Sequence, residues 1–285
     1  VRPPEPLPSR EEFIGLLSKV ILDPHTTCEA LRDDFGLAGF PVVHSPEEAG
    51  LAVEQLWLPV AANDMVRVWY LPAPPDRGTV VLSMGAAGEM ACYLYVARLL
   101  IDGGWSVVMY EYRGFGLSTG EPSLSTLADD LEQVVQWARE RTGREQVALM
   151  GVSLGTIPSV AVAVRRPEWV NGVVLDSPVA LGEQLERFWW LLNNPVGALL
   201  ALLDPELVSE SIVHRLKDPL LVFAYDRDLL TTLRTVQALY ERAPEPKQLV
   251  RFPGLGHAAG AYFDTAEYVA SLDSFLASVW SRAGE

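Results

Sequence analysis

The sequence predicts an α/β protein, with a mostly parallel central sheet and helices on both faces. Three observations carry this. From residue 79 onward, short apolar runs alternate with amphipathic stretches of helical period. The apolar runs are continuous, as expected of strands buried on both faces. Most successive runs are separated by enough chain for a crossover helix, which parallel pairing requires.

The elements follow in order. Residues 1–50 read as a helical extension. Ser9 followed by Glu12 fits a capping box, and Phe13, Leu16, Leu17 and Val20 then recur at helical spacing. A second short helix is expected over 28–35, ending at Gly36, and 39–50 form a loop. "VEQLWLPV" (53–60) and "DMVRVWYL" (64–71) are rich in β-formers and joined by "AAN", which predicts an antiparallel hairpin at one sheet edge. Strands are then expected at 79–85, 105–112, 146–152, 170–177, 219–226 and 247–254. Helices are expected at 89–101, 125–142, 154–165, 230–242 and 265–281. The 125–142 helix places Leu127, Leu131, Val134, Val135 and Ala138 on one face, and the last helix does the same with Val269, Leu272, Phe275, Leu276 and Val279.

The alternation breaks between 178 and 216, a stretch rich in Leu and Trp that contains "RFWWLLNN". We read it as a small helical cap insertion. The chain thus divides into a helical extension (1–50), a first core part (51–177), the cap (178–216) and a second core part (217–285).

Composition bounds the function. At 285 residues and 49% hydrophobic content, the chain can bury one sizeable core. A net charge of −15 repels phosphate backbones and anionic lipid, which argues against nucleic-acid and membrane-surface roles. The basic cluster Arg139, Arg141 and Arg144 sits at a predicted helix end, where cations complement the macrodipole. The longest apolar stretch, "GALLALL" at 197–203, is far too short to span a bilayer. "RPPEPLPSR" looks like a linker and tilts expectation towards an exported protein, periplasmic or extracellular. Cys28 and Cys92 admit one disulfide or two buried thiols. We expect thiols, and two cysteines alone make no metal framework.

The chemistry is expected around "ALMGVSLGT" (148–156), where Ser153 stands between Gly151 and Gly155. This G-x-S-x-G follows a predicted buried strand and opens a predicted helix, the context of a nucleophile elbow. The glycines remove side chains that would collide across the sharp turn. The turn also aims the N–H of Leu154 at the site.

Serine needs a base. Of the four histidines, His25, His44 and His214 lie in the extension, an early loop and the end of the cap. His257 alone follows a late strand, in "FPGLGHAAG" (252–260), and loops at the carboxyl ends of parallel strands converge on one face. The acid that orients it is Asp228, with Asp226 and Asp176 as alternatives. "SMGAAGE" (83–89) follows the first buried strand and offers the N–H of Ala86 as a second oxyanion donor. In the cap, Phe188, Trp189 and Trp190 are candidates to line the substrate pocket.

These residues resemble the α/β-hydrolase superfamily. The order Ser153, Asp228, His257 is that of the superfamily. "EYRGFGLSTGEPS" (111–123) is similar to the "DYRGYGxSxGxPS" segment of its serine-aminopeptidase-type branch, "YDRDLLT" (225–231) to the acid loop and "PGLGH" (253–257) to the histidine loop. Together they cover roughly 51–285. The resemblance implies a serine hydrolase with no metal or organic cofactor. An apolar lid favours a small-molecule ester of an uncharged acyl group. Thioester or amide bonds, or an inactive fold used for binding, are the alternatives. The chain departs from the branch where Met84-Gly85 and Ala224-Tyr225 replace "HG", and where Glu111 replaces Asp. Glu111 and Arg113 are expected to hold loops together.

Overall fold

The computed structural model describes residues 7–34, 36–37, 39–187 and 196–283. Two strands, β1 (Glu54–Pro59) and β2 (Met65–Leu71), form the expected hairpin, with Glu54 opposite Tyr70. Six more follow: β3 (Gly78–Ser83), β4 (Trp105–Tyr110), β5 (Val147–Val152), β6 (Val170–Asp176), β7 (Leu220–Tyr225) and β8 (Lys247–Phe252). They join one sheet in the order β1-β2-β4-β3-β5-β6-β7-β8. β2 is antiparallel to both neighbours, and every other pairing is parallel.

Every residue of β3 to β7 is buried, which explains their unbroken apolar runs. The edge strands β1 and β8 keep one face towards solvent. Helices α3 (Leu94–Asp102) and α11 (Thr265–Ala283) pack together on one side, and α4 (Leu127–Thr142) and α5 (Thr156–Arg165) on the other. The predicted stripe of α4, Leu127 to Ala138, is buried, and so are Leu272, Phe275, Leu276 and Val279 of α11. Between β7 and β8 lies α9 (Leu233–Arg242), and after β8 comes the single turn α10 (Gly260–Phe263).

The first fifty residues pack on this core. Helix α1 (Arg10–Ile21) has the capping box: the Ser9 hydroxyl accepts from the Glu12 N–H, and the Ser9 N–H donates to Glu12 at 2.8 Å. Phe13, Ile14 and Leu17 are buried. The Ser18 hydroxyl accepts the N–H of Leu124 at 3.0 Å, which ties α1 to the turn before α4. Helix α2 (Cys28–Asp34) follows. Its first residue corrects the sequence reading: Cys28 and Cys92 are bridged, with Cα atoms 5.0 Å apart. The expectation of thiols failed because a separation along the chain says nothing about where α2 is laid. It lies against the turn that leads into α3.

Between β6 and β7 the described residues form short helices: α6 (Leu181–Arg187), α7 (Val196–Leu200) and α8 (Ser209–Ile212). Phe188, Trp189 and Trp190, the expected pocket residues, lie outside the described residues.

The motif residues Glu111 and Arg113 fasten loops. Fully buried Glu111 receives Arg67 of β2 through two hydrogen bonds (3.0 and 2.5 Å) and the N–H of Leu117 at 2.8 Å. Arg113 reaches Asp130 of α4 at 2.5 and 2.9 Å.

Candidate active site

The sheet order sets the place. From β3 the chain moves outward to β4, then crosses back to β5 on the other side of β3. Such a reversal opens a crevice at the carboxyl ends of the two strands. Ser153 follows β5 there, with φ at +50°. A non-glycine residue in this left-handed region is strained and must be held by its surroundings. The flanking glycines permit it. A Cβ at Gly151 would stand 2.3 Å from the carbonyl oxygen of Gly155, and one at Gly155 would stand 2.3 Å from that of Ser83. Both obstacles are backbone and cannot swing aside. The turn continues directly into α5. Thr156 braces it, donating its hydroxyl to the Ser153 carbonyl at 2.6 Å and accepting the N–H of Val179 at 3.0 Å. Leu154 is buried within this turn.

Ala86 lies in the loop after β3. The extension grips that loop: the Asp23 N–H donates to the Ala86 carbonyl at 2.8 Å, and the Gly88 N–H donates to the Asp23 carbonyl at 3.1 Å. Tyr112 donates its hydroxyl to the Met84 carbonyl at 2.6 Å, and Tyr93 to the Ala87 carbonyl at 3.2 Å.

His257 stands in the loop after β8. Its Nδ1 is 2.7 Å from Oδ2 of Asp228. Asp228 is only 3% exposed. Its carboxylate also accepts the N–H groups of Leu230 and Thr231, each at 2.8 Å, and the Thr231 hydroxyl at 2.6 Å. Burial works to raise its pKa, but the hydrogen bonds from His257 and Thr231 and the charge of the imidazole outweigh burial and hold it below the usual value. Next to the histidine, the Ala258 N–H donates to the Ser177 hydroxyl at 2.9 Å, which fixes the histidine loop to the end of β6.

The other two candidate acids are engaged elsewhere. Asp226 pairs with Arg251 at the surface (2.5 and 3.0 Å). Asp176 accepts the hydroxyls of Tyr225 and Tyr268 at 2.9 and 2.8 Å. Burial pushes the Asp176 carboxyl up to about 6, against the pull of those hydroxyls and the His257 charge. Of the three acids, Asp228 is the one bonded to the histidine. His44 faces Glu29 at 3.2 Å, within the extension.

Ser153 and His257 line one cavity of about 350 Å³. Its far wall comes from the extension: Leu31, Leu37, Phe40, Val42, Val43 and Ala49. Phe40 packs edge-on against Tyr95 and Tyr262, which stack with ring centroids 4.8 Å apart. A second cavity of about 180 Å³ also reaches Ser153 and Ala86, and Val179, Leu181 and Gln184 bound it. Among the described residues, the 178–216 segment thus borders the smaller cavity, while the extension lines one side of the larger and, through Ile21, part of the smaller. Sequence reading missed this wall. The available signal was Cys28 with Cys92, since a bridge between them draws the extension onto the loop that carries Ala86.

Comparison with known proteins gives the family. A family model described as serine aminopeptidase, S33, matches residues 74–209, which include Ser153 but stop before Asp228 and His257. An uncharacterized protein of Mycobacterium tuberculosis is 30% identical over 225 residues, 76% of this chain and 77% of that one. The chain belongs to the α/β-hydrolase superfamily. The α/β hydrolase domain-containing protein aho-3 of Caenorhabditis elegans is 30% identical over 191 residues, 65% of this chain and 54% of that one. Among solved α/β hydrolases, an esterase of Pyrococcus furiosus has the same fold, with a TM-score of 0.66, 19% identity, and coverage of 83% of this chain and 95% of that one.

Proposed function

We propose that this α/β hydrolase is a serine esterase that cleaves carboxylic esters of uncharged acyl groups. The observation that carries the reading is the 2.7 Å contact between His257 and Asp228, with His257 and the strained Ser153 on the wall of one apolar cavity. In this reading His257 takes the Ser153 proton as the hydroxyl attacks the acyl carbonyl. Asp228 holds the imidazole tautomer and stabilises the imidazolium. The N–H groups of Leu154 and Ala86 stabilise the tetrahedral oxyanion, and water releases the acid from the acyl-enzyme.

The family model's description also favours a second reading, hydrolysis of an amide next to a free amino terminus. The cavity argues for the ester. Its one described carboxylate, Asp176, is occupied by two tyrosine hydroxyls, and Arg32 and Arg98 stand on its wall. A cationic amino terminus would find no open carboxylate among the described lining residues, and both guanidiniums are themselves paired, Arg32 with Asp33 and Arg98 with Asp102 at 2.8 Å each. The disulfide supports an exported protein in an oxidising compartment, periplasmic or extracellular.

The test is a panel of p-nitrophenyl esters on wild type and Ser153→Ala, with fluorophosphonate labelling of both. Ester turnover and labelling that depend on Ser153 support the reading. Equal turnover in both proteins, or no label on Ser153, overturns it. Turnover of aminoacyl p-nitroanilides in preference to esters would favour the amide.

A further inference from the structure

The two cavities that meet at Ser153 differ in one respect that bears on the chemistry. The larger has His257 on its wall. The smaller has Leu154 and Ile157 on its wall, but not His257. When Ser153 attacks an ester, its Oγ bonds to the carbonyl carbon and its proton passes to His257. The bond from that carbon to the alcohol oxygen then breaks. The electron pair stays on the oxygen, which takes the proton back from His257. Water later replaces the alcohol in the same sequence and releases the acid. The departing oxygen must therefore stand within hydrogen-bond reach of the imidazole. The rest of the alcohol continues from that oxygen into the space that His257 lines. The acyl substituent leaves the carbonyl carbon along a different bond, away from the imidazole, and the space at Ser153 that His257 does not line is the smaller cavity.

Resting on the esterase reading, we propose that the larger cavity receives the alcohol half of the substrate and the smaller cavity the acyl half. Size then names the substrate class. An apolar cavity of about 150 Å³ holds one benzene ring. The smaller cavity, about 180 Å³, suits a short acyl group. The larger, about 350 Å³, has room for roughly twice the bulk of a single ring. Its aliphatic wall and the Tyr95–Tyr262 stack suit an apolar, ring-bearing alcohol. The preferred substrate is a short-chain ester of a bulky apolar alcohol. The extension thereby helps to set the size of that alcohol, together with the Tyr95–Tyr262 stack of the core.

The test uses two ester series, followed by titrating the released acid. One holds acetate constant and lengthens the alcohol from ethyl to 2-(2-naphthyl)ethyl. The other holds ethanol constant and lengthens the acid from acetate to decanoate. Val43→Trp narrows the larger cavity and Val179→Phe the smaller. Val43→Trp is expected to lower kcat/KM for the naphthylethyl acetate at least about tenfold relative to ethyl acetate. Val179→Phe is expected to depress the longer acyl esters by a similar factor relative to ethyl acetate. Ala49→Leu, a smaller change on the extension wall, must move the alcohol ratio in the same direction as Val43→Trp. The reversed pattern, or equal loss along both series in either variant, overturns the assignment. Labelling of wild-type Ser153 by a fluorophosphonate separates the two levels. Without a label the esterase reading falls. With a label and reversed ratios, only the assignment of the cavities falls.

Discussion

Asp23 donates its backbone N–H to the carbonyl oxygen of Ala86 at 2.8 Å. A residue of the N-terminal extension is thereby fixed to the loop that is proposed to stabilise the oxyanion. Five residues further on, Cys28 is bridged to Cys92, at the end of the same loop region. The extension therefore holds the loop at two points, one by hydrogen bonding and one covalently. Residues without a counterpart in the core motifs are part of the site.

The bridge closes a segment of 64 residues, so its loss should be felt in stability. Cys28→Ser/Cys92→Ser is expected to be less stable by about 2–4 kcal/mol. Thermal melts should show wild type in dithiothreitol falling towards the double variant. No change in melting temperature for the variant would mean that the bridge constrains nothing.

The choice among the three acids can be read from kinetics. Asp228→Asn should lower kcat by about 10³ to 10⁴, the cost of losing the correct imidazole tautomer. Asp226→Asn removes only an exposed pair with Arg251 and should change kcat less than about twofold. Comparable losses in the two variants would contradict the geometry.

Gly151→Ala and Gly155→Ala each push a methyl group to 2.3 Å from a carbonyl oxygen. Backbone cannot rotate away as a flexible side chain can. Each variant should lose about 2 kcal/mol or more, as overpacking does. Urea titration gives the number, and the accompanying loss of Ser153 labelling reports that the elbow has opened.

A pH dependence follows from Asp176. Its carboxyl titrates near 6 in the folded chain against 3.8 ordinarily. The folded chain therefore binds more protons than the unfolded chain between those values, and stability falls as pH rises through that window. Above about 6 the contribution is level. The wild-type stability, measured relative to Asp176→Asn by urea midpoints from pH 4 to 7, should decline across the window. A difference independent of pH would refute the raised value.

The sheet and the order of the site residues were legible because they rest on local physics. Unbroken apolar runs mark strands covered on both faces, as Val80 to Leu82 and Val147 to Met150 are. Gly151 and Gly155 reveal the elbow because no other residue fits there. The loops carrying Asp228 and His257 could be placed because parallel strands send their carboxyl-end loops to one side. The cavity wall was not legible. Leu31, Phe40 and Val43 follow no period that points at Ser153, and their position depends on a tertiary bridge. The arrangement of acids was half legible. Asp176 ends a strand and Asp226 and Asp228 follow one, and only their partners, Tyr225 and Tyr268, Arg251, and His257, separate them.

The wall of the larger cavity has a consequence for how the molecule reaches its final form. Its lining is drawn from Leu31 to Ala49, from Gly85 to Arg98, and from His257 to Tyr262. The first and last of these segments lie far apart in the chain, and contacts between distant segments are slow to form. During synthesis the extension emerges before the core, and the residues that cover its inner face, from Cys92 to Tyr262, follow later. The hollow that would select the substrate is thus held open by segments that the chain itself keeps far apart, and its shape depends on the whole fold being complete.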